Sequence, residues 1–337
     1  FKDAIRLSPN YIDAHFQLSQ VYDLTGNLEK SLKEFEEVLR IQPDNFEGHF
    51  RKGDIYERLE NHKTAAKSFE KVVSINPDYA AAHFRLGLNY AKMDRYEDAL
   101  GEYKKTTQID PDFAQAYYQI GAAFLNLQKI KKAINPFKQA ILLDPDFKEA
   151  RYELGNTYNN LNRYQDAIEP LSQAIRIDSQ YALAYLGLGQ SNTKLEQYDK
   201  AIANLNKAVN LNPDLLEAHS PLGLSLMKVG RFEEASVSLS KTKTDDPNYP
   251  DAQNNLGQVF WKLKEYSKAI SALKESIKVR PGFTKPYISL GLIYTTLENN
   301  SKAIHYLKKA VGSNPKNSGA HYNLGLVYGI AGRYQEA

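Results

Sequence analysis

Residues 80–113 read AAAHFRLGLNYAKMDRYEDALGEYKKTTQIDPDF, a stretch of 34 residues that contains two apolar runs. The first run consists of Phe84, Leu86 and Tyr90, and the second of Ala99, Leu100 and Tyr103. Spacings of three and four residues place each run on one face of an α-helix. Pro111 closes the stretch, because proline lacks an amide donor and clashes with the preceding helical turn. The stretch therefore predicts two amphipathic helices that end in a sharp turn.

The same pattern recurs along the chain with a period of 34 residues. The prolines at this step are Pro9, Pro43, Pro77, Pro111, Pro145, Pro213, Pro247, Pro281 and Pro315. The glycines are Gly53, Gly87, Gly121, Gly155, Gly189, Gly223, Gly257, Gly291 and Gly325, and the alanines run from Ala65 to Ala337. A fixed period of this length predicts stacked copies of one structural unit.

The period divides the chain without any insertion. Residues 1–11 would be the end of a truncated repeat, and residues 318–337 the start of a further one. Between them we expect nine full units at 12–45, 46–79, 80–113, 114–147, 148–181, 182–215, 216–249, 250–283 and 284–317. The chain starts without Met and in mid-pattern, so we expect a segment of a longer protein.

Small and large residues at fixed places predict how the two helices of a unit pack. The repeated glycines and alanines indicate close crossings, where a larger side chain would push the backbones apart. The expected core includes Tyr22, Tyr56, Tyr90, Phe124 and Tyr158 in first helices, and Phe35, Phe69, Tyr103 and Phe137 in second helices.

The breaks between helices also follow from residue type. Pro-Asp and Pro-Asn pairs end one helix and open the next, because their side chains accept bonds from free N–H groups. Gly26 and Gly230 favour a left-handed turn after a first helix. Where Asp94, Asn162 or Glu196 stands there, we expect a looser turn. We expect kinks at three prolines inside helices, Pro136, Pro170 and Pro221.

At these positions the chain resembles the tetratricopeptide repeat (TPR). The resemblance is carried by Ala116-Tyr117-Tyr118-Gln119-Ile120-Gly121, with Ala133, Phe137, Ala140 and Pro145, and it covers the whole chain. It implies an all-α fold, an α-solenoid in which antiparallel helix pairs stack into a right-handed superhelix. First helices would line a concave groove, in which members of the family mostly bind extended or helical peptides.

Composition narrows the classes of function. The net charge of +3 gives no field for nucleic acid or a membrane surface. The absence of Cys excludes disulfides and thiolate metal sites, and no apolar run approaches the roughly 20 residues that membrane insertion needs. Five of the histidines share one interior-facing repeat position, which indicates packing: His15, His49, His83, His219 and His321. We expect no enzyme activity, no cofactor and no metal.

Helix geometry predicts which side chains line the groove. The second, fifth, sixth, ninth, twelfth and thirteenth places of each first helix face away from the small-residue crossings. The fifth places give an aromatic row in the first half of the chain: Phe16, Phe50, Phe84, Tyr118 and Tyr152. We predict that this row anchors a peptide; the alternative is packing that is ordinary in the family.

Polar side chains beside the row are further candidates. The amides are Gln119, Asn126, Asn156, Asn159, Gln190 and Asn255. Amides donate and accept, so they can pair with the backbone of an extended peptide, or they can simply be solvated. Arg51 and Arg85 partly match the basic clamp by which some family members grip terminal carboxylates. Trp261 is either an interface anchor or a packed residue at the groove edge.

Charge is distributed unevenly along the predicted groove. Acidic residues gather towards the N-terminal end, at Asp13, Asp23, Glu47, Asp54 and Glu57. Lysines lie towards the other end, at Lys194, Lys228, Lys262 and Lys285. This gradient could orient a ligand of opposite polarity, or it could serve solubility alone.

The function that these observations favour is a protein-interaction scaffold with a protein or peptide ligand. One alternative is the substrate-recruiting segment of a larger enzyme, such as a glycosyltransferase. Another is end-to-end self-association through uncapped repeats. The compartment stays undetermined, with the cytoplasm as the default.

Overall fold

The computed structural model describes residues 1–337, and it divides into two compact units, residues 1–161 and 162–337. Twenty α-helices and one 3-10 turn make up both units, without a strand. Unit 1 contains α1 (Lys2–Leu7), α2 (Ile12–Leu24), α3 (Leu28–Ile41), α4 (Phe46–Arg58), α5 (His62–Ile75), α6 (Ala80–Lys92), α7 (Tyr96–Ile109), α8 (Ala114–Asn126), α9 (Ile130–Leu143) and α10 (Lys148–Asn160).

Unit 2 continues the same alternation. It contains α11 (Tyr164–Ile177), α12 (Ala182–Lys194), α13 (Tyr198–Leu211), the 3-10 turn Leu216–Ala218, α14 (His219–Lys228), α15 (Phe232–Ser240), α16 (Tyr249–Lys262), α17 (Tyr266–Val279), α18 (Thr284–Thr296), α19 (Asn300–Ser313) and α20 (Ser318–Ile330). Within each unit every helix packs on the helix before it and the helix after it. The predicted all-α solenoid of stacked helix pairs is confirmed.

Close helix crossings hold each pair together, as the recurring glycines predict. A Cβ atom built on Gly121 would lie 2.5 Å from Cε1 of Phe137, which is fully buried in the second helix. In unit 2 a Cβ on Gly189 would lie 2.5 Å from Cγ of Leu205. Carbon atoms normally approach to about 3.5–4.0 Å, so only glycine fits at these crossings.

The predicted core is confirmed in the second helices and needs correction in the first. Phe35, Phe69, Tyr103 and Phe137 are fully buried, as are the leucines at the same place in unit 2. Of the first-helix aromatics, Tyr90 and Tyr158 are buried. The other three are only half-buried, and a lysine ammonium lies over each ring: Lys30 over Tyr22 (5.7 Å), Lys52 over Tyr56 (5.9 Å) and Lys104 over Phe124 (6.0 Å).

The turn after each first helix is uniform, which corrects the expectation of looser turns. Gly26 and Gly230 have φ of +75° and +82°, as predicted, but Asp94, Asn162 and Glu196 have φ of +58° and are equally left-handed. In these turns the N–H three residues beyond the helix end bonds back to a carbonyl in its last turn, for example Arg95 N to Tyr90 O at 2.9 Å. This bond closes the turn whatever side chain stands there.

The residue before proline, rather than the one after it, shapes the turn between repeats. Asp110 Oδ1 accepts a hydrogen bond from the N–H of Asp112 at 3.1 Å, and Asp144 does the same for Asp146. At the start of the next helix, a second side chain can accept a bond from a free N–H group. Asn45, the residue before α4, accepts a hydrogen bond from the N–H of Gly48 at 2.8 Å.

Repeat 216–249 departs from the pattern. Pro221 removes a backbone bond from a first helix, as expected: the α-helix α14 begins only at His219, and Pro221 lies in its first turn. The carbonyl of Glu217 has no partner N–H at Pro221, and residues 216–218 form a 3-10 turn instead. Helices α9 and α11 continue through Pro136 and Pro170 without a break. No helix in either unit has the length and apolar content of a membrane span.

Candidate functional site

Within each compact unit, the first helices of consecutive 34-residue repeats present equivalent side chains. We call the surface formed by α2, α4, α6, α8 and α10 the unit 1 face, and that formed by α12, α14, α16, α18 and α20 the unit 2 face. Eleven of the predicted groove residues lie on the unit 1 face: Phe16, Phe50, Phe84, Tyr118, Tyr152, Arg51, Arg85, Gln119, Asn126, Asn156 and Asn159. Three lie on the unit 2 face: Gln190, Asn255 and Trp261.

The aromatic row of the unit 1 face is half-buried. Four of the five rings pack at the edge or tilted against the buried aromatic of the second helix of the same repeat, with Phe16 against Phe35 (centroids 5.5 Å) and Phe50 against Phe69 (5.3 Å). Tyr118 packs in the same way against Phe137 at 5.8 Å. The rings therefore support the helix pair while part of each side chain stays exposed.

An aromatic from the turn between repeats steadies three of these rings. Phe50 lies 5.4 Å from Tyr79, Phe84 lies 4.8 Å from Phe113, and Tyr118 lies 5.0 Å from Phe147, measured between centroids. Sequence reasoning missed these turn aromatics as part of the site. The signal is their place, two residues after the repeated proline position, which is aromatic in seven of the ten turns. The fifth-place rings are thus held in fixed orientations.

Ion pairs join consecutive first helices on the unit 1 face. Arg85 on α6 donates to Glu57 on α4 at 2.7 Å, and its second nitrogen lies 3.3 Å from Asp54. Arg58 on α4 pairs with Asp23 on α2. Burial raises the pKa of the Asp54 and Glu57 carboxyl groups, while Arg85 lowers it. The predicted acidic end is therefore a network of opposite charges, and it carries little free negative charge.

Asn89 on α6 is a member of this network that sequence reasoning missed. Its amide nitrogen donates to Glu57 and to the Arg85 carbonyl at 2.9 Å, and its oxygen lies 3.1 Å from His62 Nδ1. It is almost fully buried, with 1% of its surface exposed. The corresponding place in most first helices holds an apolar or small residue, so an asparagine there was the available signal.

Two of the predicted polar candidates use their groups on their own helix. Arg51 donates to Glu47 one turn earlier at 2.8 Å, and Asn126 donates to the Ala122 carbonyl at 3.0 Å. Gln119, Asn156 and Gln190 are half-buried. The Arg51 and Arg85 side chains are already engaged with carboxylates of this chain.

The recurring histidines have a structural role. His321 is exposed and so does not face the interior as expected, but its Nε2 still lies 2.9 Å from the Pro315 carbonyl. His83 shows the role: Nε2 lies 2.9 Å from the Pro77 carbonyl and Nδ1 lies 2.6 Å from Glu102. Both partners are acceptors, so the ring donates twice, and the hydrogen bond to Glu102 raises the pKa of His83. His219 has Ser238 in place of the carboxylate, and burial lowers its pKa.

The unit 2 face is more apolar than the unit 1 face. Leu224, Met227, Trp261 and Leu292 are half-buried on it, and neighbouring first helices touch each other directly. Trp261 lies at the edge of a core cluster that includes Leu290 and Ile293. Helix pairs of constant length, stacked so that one helix of each pair contributes to a shared face, define a repeat α-solenoid.

Six family models described as the TPR or tetratricopeptide repeat match the sequence. The matched residues are 12–45, 46–79, 89–128, 114–147, 137–169, 155–195, 191–230, 220–282 and 284–317. The chain belongs to the tetratricopeptide-repeat family. No curated protein sequence matches it significantly.

Solved structures share the fold at low sequence identity. The chain is similar to one in the APC/C hetero-tetramer Cut9–Hcn1, with a TM-score of 0.54, 15% identity and coverage of 97% of this chain and 91% of that chain. It is similar to pilF of Pseudomonas aeruginosa, with a TM-score of 0.52, 19% identity and coverage of 62% and 95%. YrrB, described as a TPR protein with an unusual peptide-binding site, gives a TM-score of 0.48, 25% identity and coverage of 55% and 95%.

Proposed function

We propose that this chain is a non-enzymatic scaffold whose first-helix faces bind an extended or helical peptide segment of a partner protein. The observation that carries the proposal is the aromatic row of the unit 1 face. Phe16, Phe50, Phe84 and Tyr118 occupy the same place in four consecutive first helices, and each is partly exposed. Rings that are rigidly held lose little entropy when a ligand packs on them, so they suit an anchoring role.

The spacing of the helices fits a peptide that crosses them. Packed helices lie about 8–10 Å apart, and an extended chain advances about 3.3 Å per residue. One side chain in about three would therefore meet each successive ring. Half-buried amides such as Gln119 and Asn156 stand beside the row and can pair with the peptide backbone between those contacts.

The titratable groups of the unit 1 face support binding over catalysis. Arg85, Asp54 and Glu57 engage each other, and Arg58 engages Asp23. A general acid or base must lie within hydrogen-bond reach of a substrate proton, whereas these groups form ion pairs between consecutive first helices.

The test is selection of random displayed peptides on the full chain, followed by measurement of their affinity. The blocking variant is Ala122→Arg, at a half-buried place on α8 where other first helices carry Gln20, Asp54 or Asn156, so the fold accepts a long polar side chain there. We expect it to weaken unit 1 ligands at least tenfold. The matched control is Gln108→Arg, which adds the same side chain at an exposed place on the second helix α7 and should change nothing.

Failure to select any peptide would reject the proposed function. Equal loss of affinity in both variants would show that the added charge, and not the position on the face, is responsible. Recruitment of substrate for a larger enzyme and end-to-end self-association stay hypotheses.

A further inference from the structure

We propose that the unit 2 face binds a segment whose acidic residues are spaced about three apart, with Lys194, Lys228 and Lys262 as their cationic partners. This inference rests on the proposed function and specifies its ligand class. It would make the two faces different in kind, with the unit 2 face selective for acidic peptides.

The three lysines form a row of cations that have no partner in the chain. They are the last residues of α12, α14 and α16, three consecutive first helices, and all three are exposed. None of them forms an ion pair or a hydrogen bond. Arg51, Arg58 and Arg85 of the unit 1 face, by contrast, are paired with carboxylates, although Lys92 at the end of α6 has no ion-pair partner either.

The unit 2 face offers these lysines no acidic side chain. In the repeats that begin at residues 182, 216, 250 and 284, the fifth, sixth, ninth and twelfth places hold Leu186, Gly187, Gln190 and Thr193; Ser220, Pro221, Leu224 and Met227; Asn254, Asn255, Gln258 and Trp261; and Ile288, Ser289, Leu292 and Thr295. Acidic residues stand only at the margins. Asp251 near the start of α16 pairs with Arg280 at 2.9 Å, whereas Glu217 in the 3-10 turn before α14 and Glu196 in the turn after α12 make no ion pair with the lysines. The charge of the row is therefore left for a ligand.

The surface beside the row is apolar and suits side chains between the acids. Leu224, Met227 and Trp261 are half-buried one turn or less from the lysines. A ligand that places a carboxylate at each lysine and an apolar side chain on this surface would satisfy both. Gln190 and Gln258 stand at the same place on α12 and α16 and can pair with its backbone.

The spacing of the row selects an extended ligand. Neighbouring helices lie about 8–10 Å apart. A polyproline II chain has three residues per turn and rises about 3.1 Å per residue, so every third side chain points the same way at intervals of about 9 Å. An acid at every third residue would thus meet Lys194, Lys228 and Lys262 in turn.

A nucleic acid fits this face less well than a peptide. Phosphate backbones present a charge at every nucleotide and are gripped by many cations, whereas this row has three lysines next to an apolar surface. Single-stranded RNA is therefore included as a competitor in the test.

The experiment uses the full chain and synthetic peptides made of four copies of Glu-Leu-Pro, Gln-Leu-Pro or Lys-Leu-Pro. Binding is followed through the fluorescence of Trp261, the single tryptophan of the chain, which is half-exposed on this face. We expect the Glu peptide to bind at least tenfold more tightly than the Gln peptide, and the Lys peptide not to bind. Added salt should weaken the Glu complex.

The variant is Lys194→Gln with Lys228→Gln and Lys262→Gln, and it should bind the Glu peptide about tenfold more weakly. The control is Lys207→Gln with Lys274→Gln and Lys309→Gln, which makes the same change of charge at exposed places on second helices and should bind like the original chain. Thermal unfolding of both variants separates loss of binding from loss of fold.

Equal affinity for the Glu and Gln peptides, equal loss in both variants, or stronger competition by RNA than by the Glu peptide would overturn the inference. If displayed peptides are selected without an excess of acidic residues, the inference fails while the proposed function stands. If no peptide is selected at all, the proposed function fails with it.

Discussion

Replacing Gly121 by alanine adds one methyl group at a helix crossing. That methyl carbon would lie 2.5, 2.7 and 2.8 Å from three ring carbons of Phe137. Since carbon contacts are normally about 3.5–4.0 Å, the ring or the helix must shift by about 1 Å. Phe137 is fully buried, so no open space receives it. The cost should lie near the upper end of the roughly 1–3 kcal/mol typical of overpacked cores.

The same substitution elsewhere supplies the control. Gly101 lies inside α7, is exposed, and has no atom within 4 Å of an added Cβ. Alanine there should stabilise the chain by about 1 kcal/mol through helix propensity alone. Gly121→Ala gains that amount too, so its net effect should be about 2 kcal/mol of destabilisation.

Denaturant unfolding followed by circular dichroism, with amide exchange across residues 114–147, measures both variants. We expect the two variants to differ by about 3 kcal/mol, with the lost protection concentrated in α8 and α9. If Gly121→Ala proves as stable as Gly101→Ala, close crossings do not hold these helix pairs together.

Three further predictions concern buried or strained groups. The Tyr103 hydroxyl is buried without a hydrogen-bond partner. Tyr103→Phe should therefore increase the free energy of unfolding by about 1 kcal/mol, which a higher denaturant midpoint would show. Glu298 has a left-handed backbone (φ 56°), so Glu298→Gly should increase the free energy of unfolding by up to about 1 kcal/mol, which a higher melting temperature would show. Hydrogen bonding to Glu102 raises the pKa of His83. The pair therefore stabilises the fold fully below pH 6.5, and this stabilisation is lost as pH rises through the folded-state pKa of His83. Glu102→Ser should lower the melting temperature more at about pH 6 than at about pH 9.

His219 gives an internal comparison for the pH prediction. Burial lowers its pKa, so the unfolded chain binds the proton more readily than the folded chain. Its contribution is present above pH 6.5 and is lost as pH falls, opposite in sign to that of His83. A Ser238→Glu variant should reverse this trend, since it recreates the partner that His83 has in Glu102.

The helices and their crossings could be predicted because they depend on residue type at a fixed spacing. Pro111 follows the end of α7, because proline has no N–H to continue the helix, and Gly121 fits where no larger residue does. The turn at Asp94 was predicted wrongly, because the backbone bond from Arg95 to Tyr90 closes the turn regardless of the side chain. The loss of a backbone bond at Pro221 could be predicted, but the 3-10 turn that replaces the start of this first helix could not.

Side-chain partners on the two faces depend on distances that a sequence pattern does not contain. The repeat position correctly assigned Arg85 to a first helix, but its engagement with Asp54 and Glu57 requires knowing how far α6 lies from α4. The sequence pattern did not predict Asn89 as a member of the ion-pair network, because its place in the repeat usually holds an apolar or small residue. Whether the predicted groove residues contact a ligand stays a prediction.

A crystal structure of the full chain with a selected peptide tests the central claim most directly. We predict that the peptide lies across consecutive first helices. It should contact Phe50, Phe84 and Tyr118 on the unit 1 face, or Met227 and Trp261 on the unit 2 face. A peptide bound instead along the second helices, or only at one end of the helix stack, would contradict it.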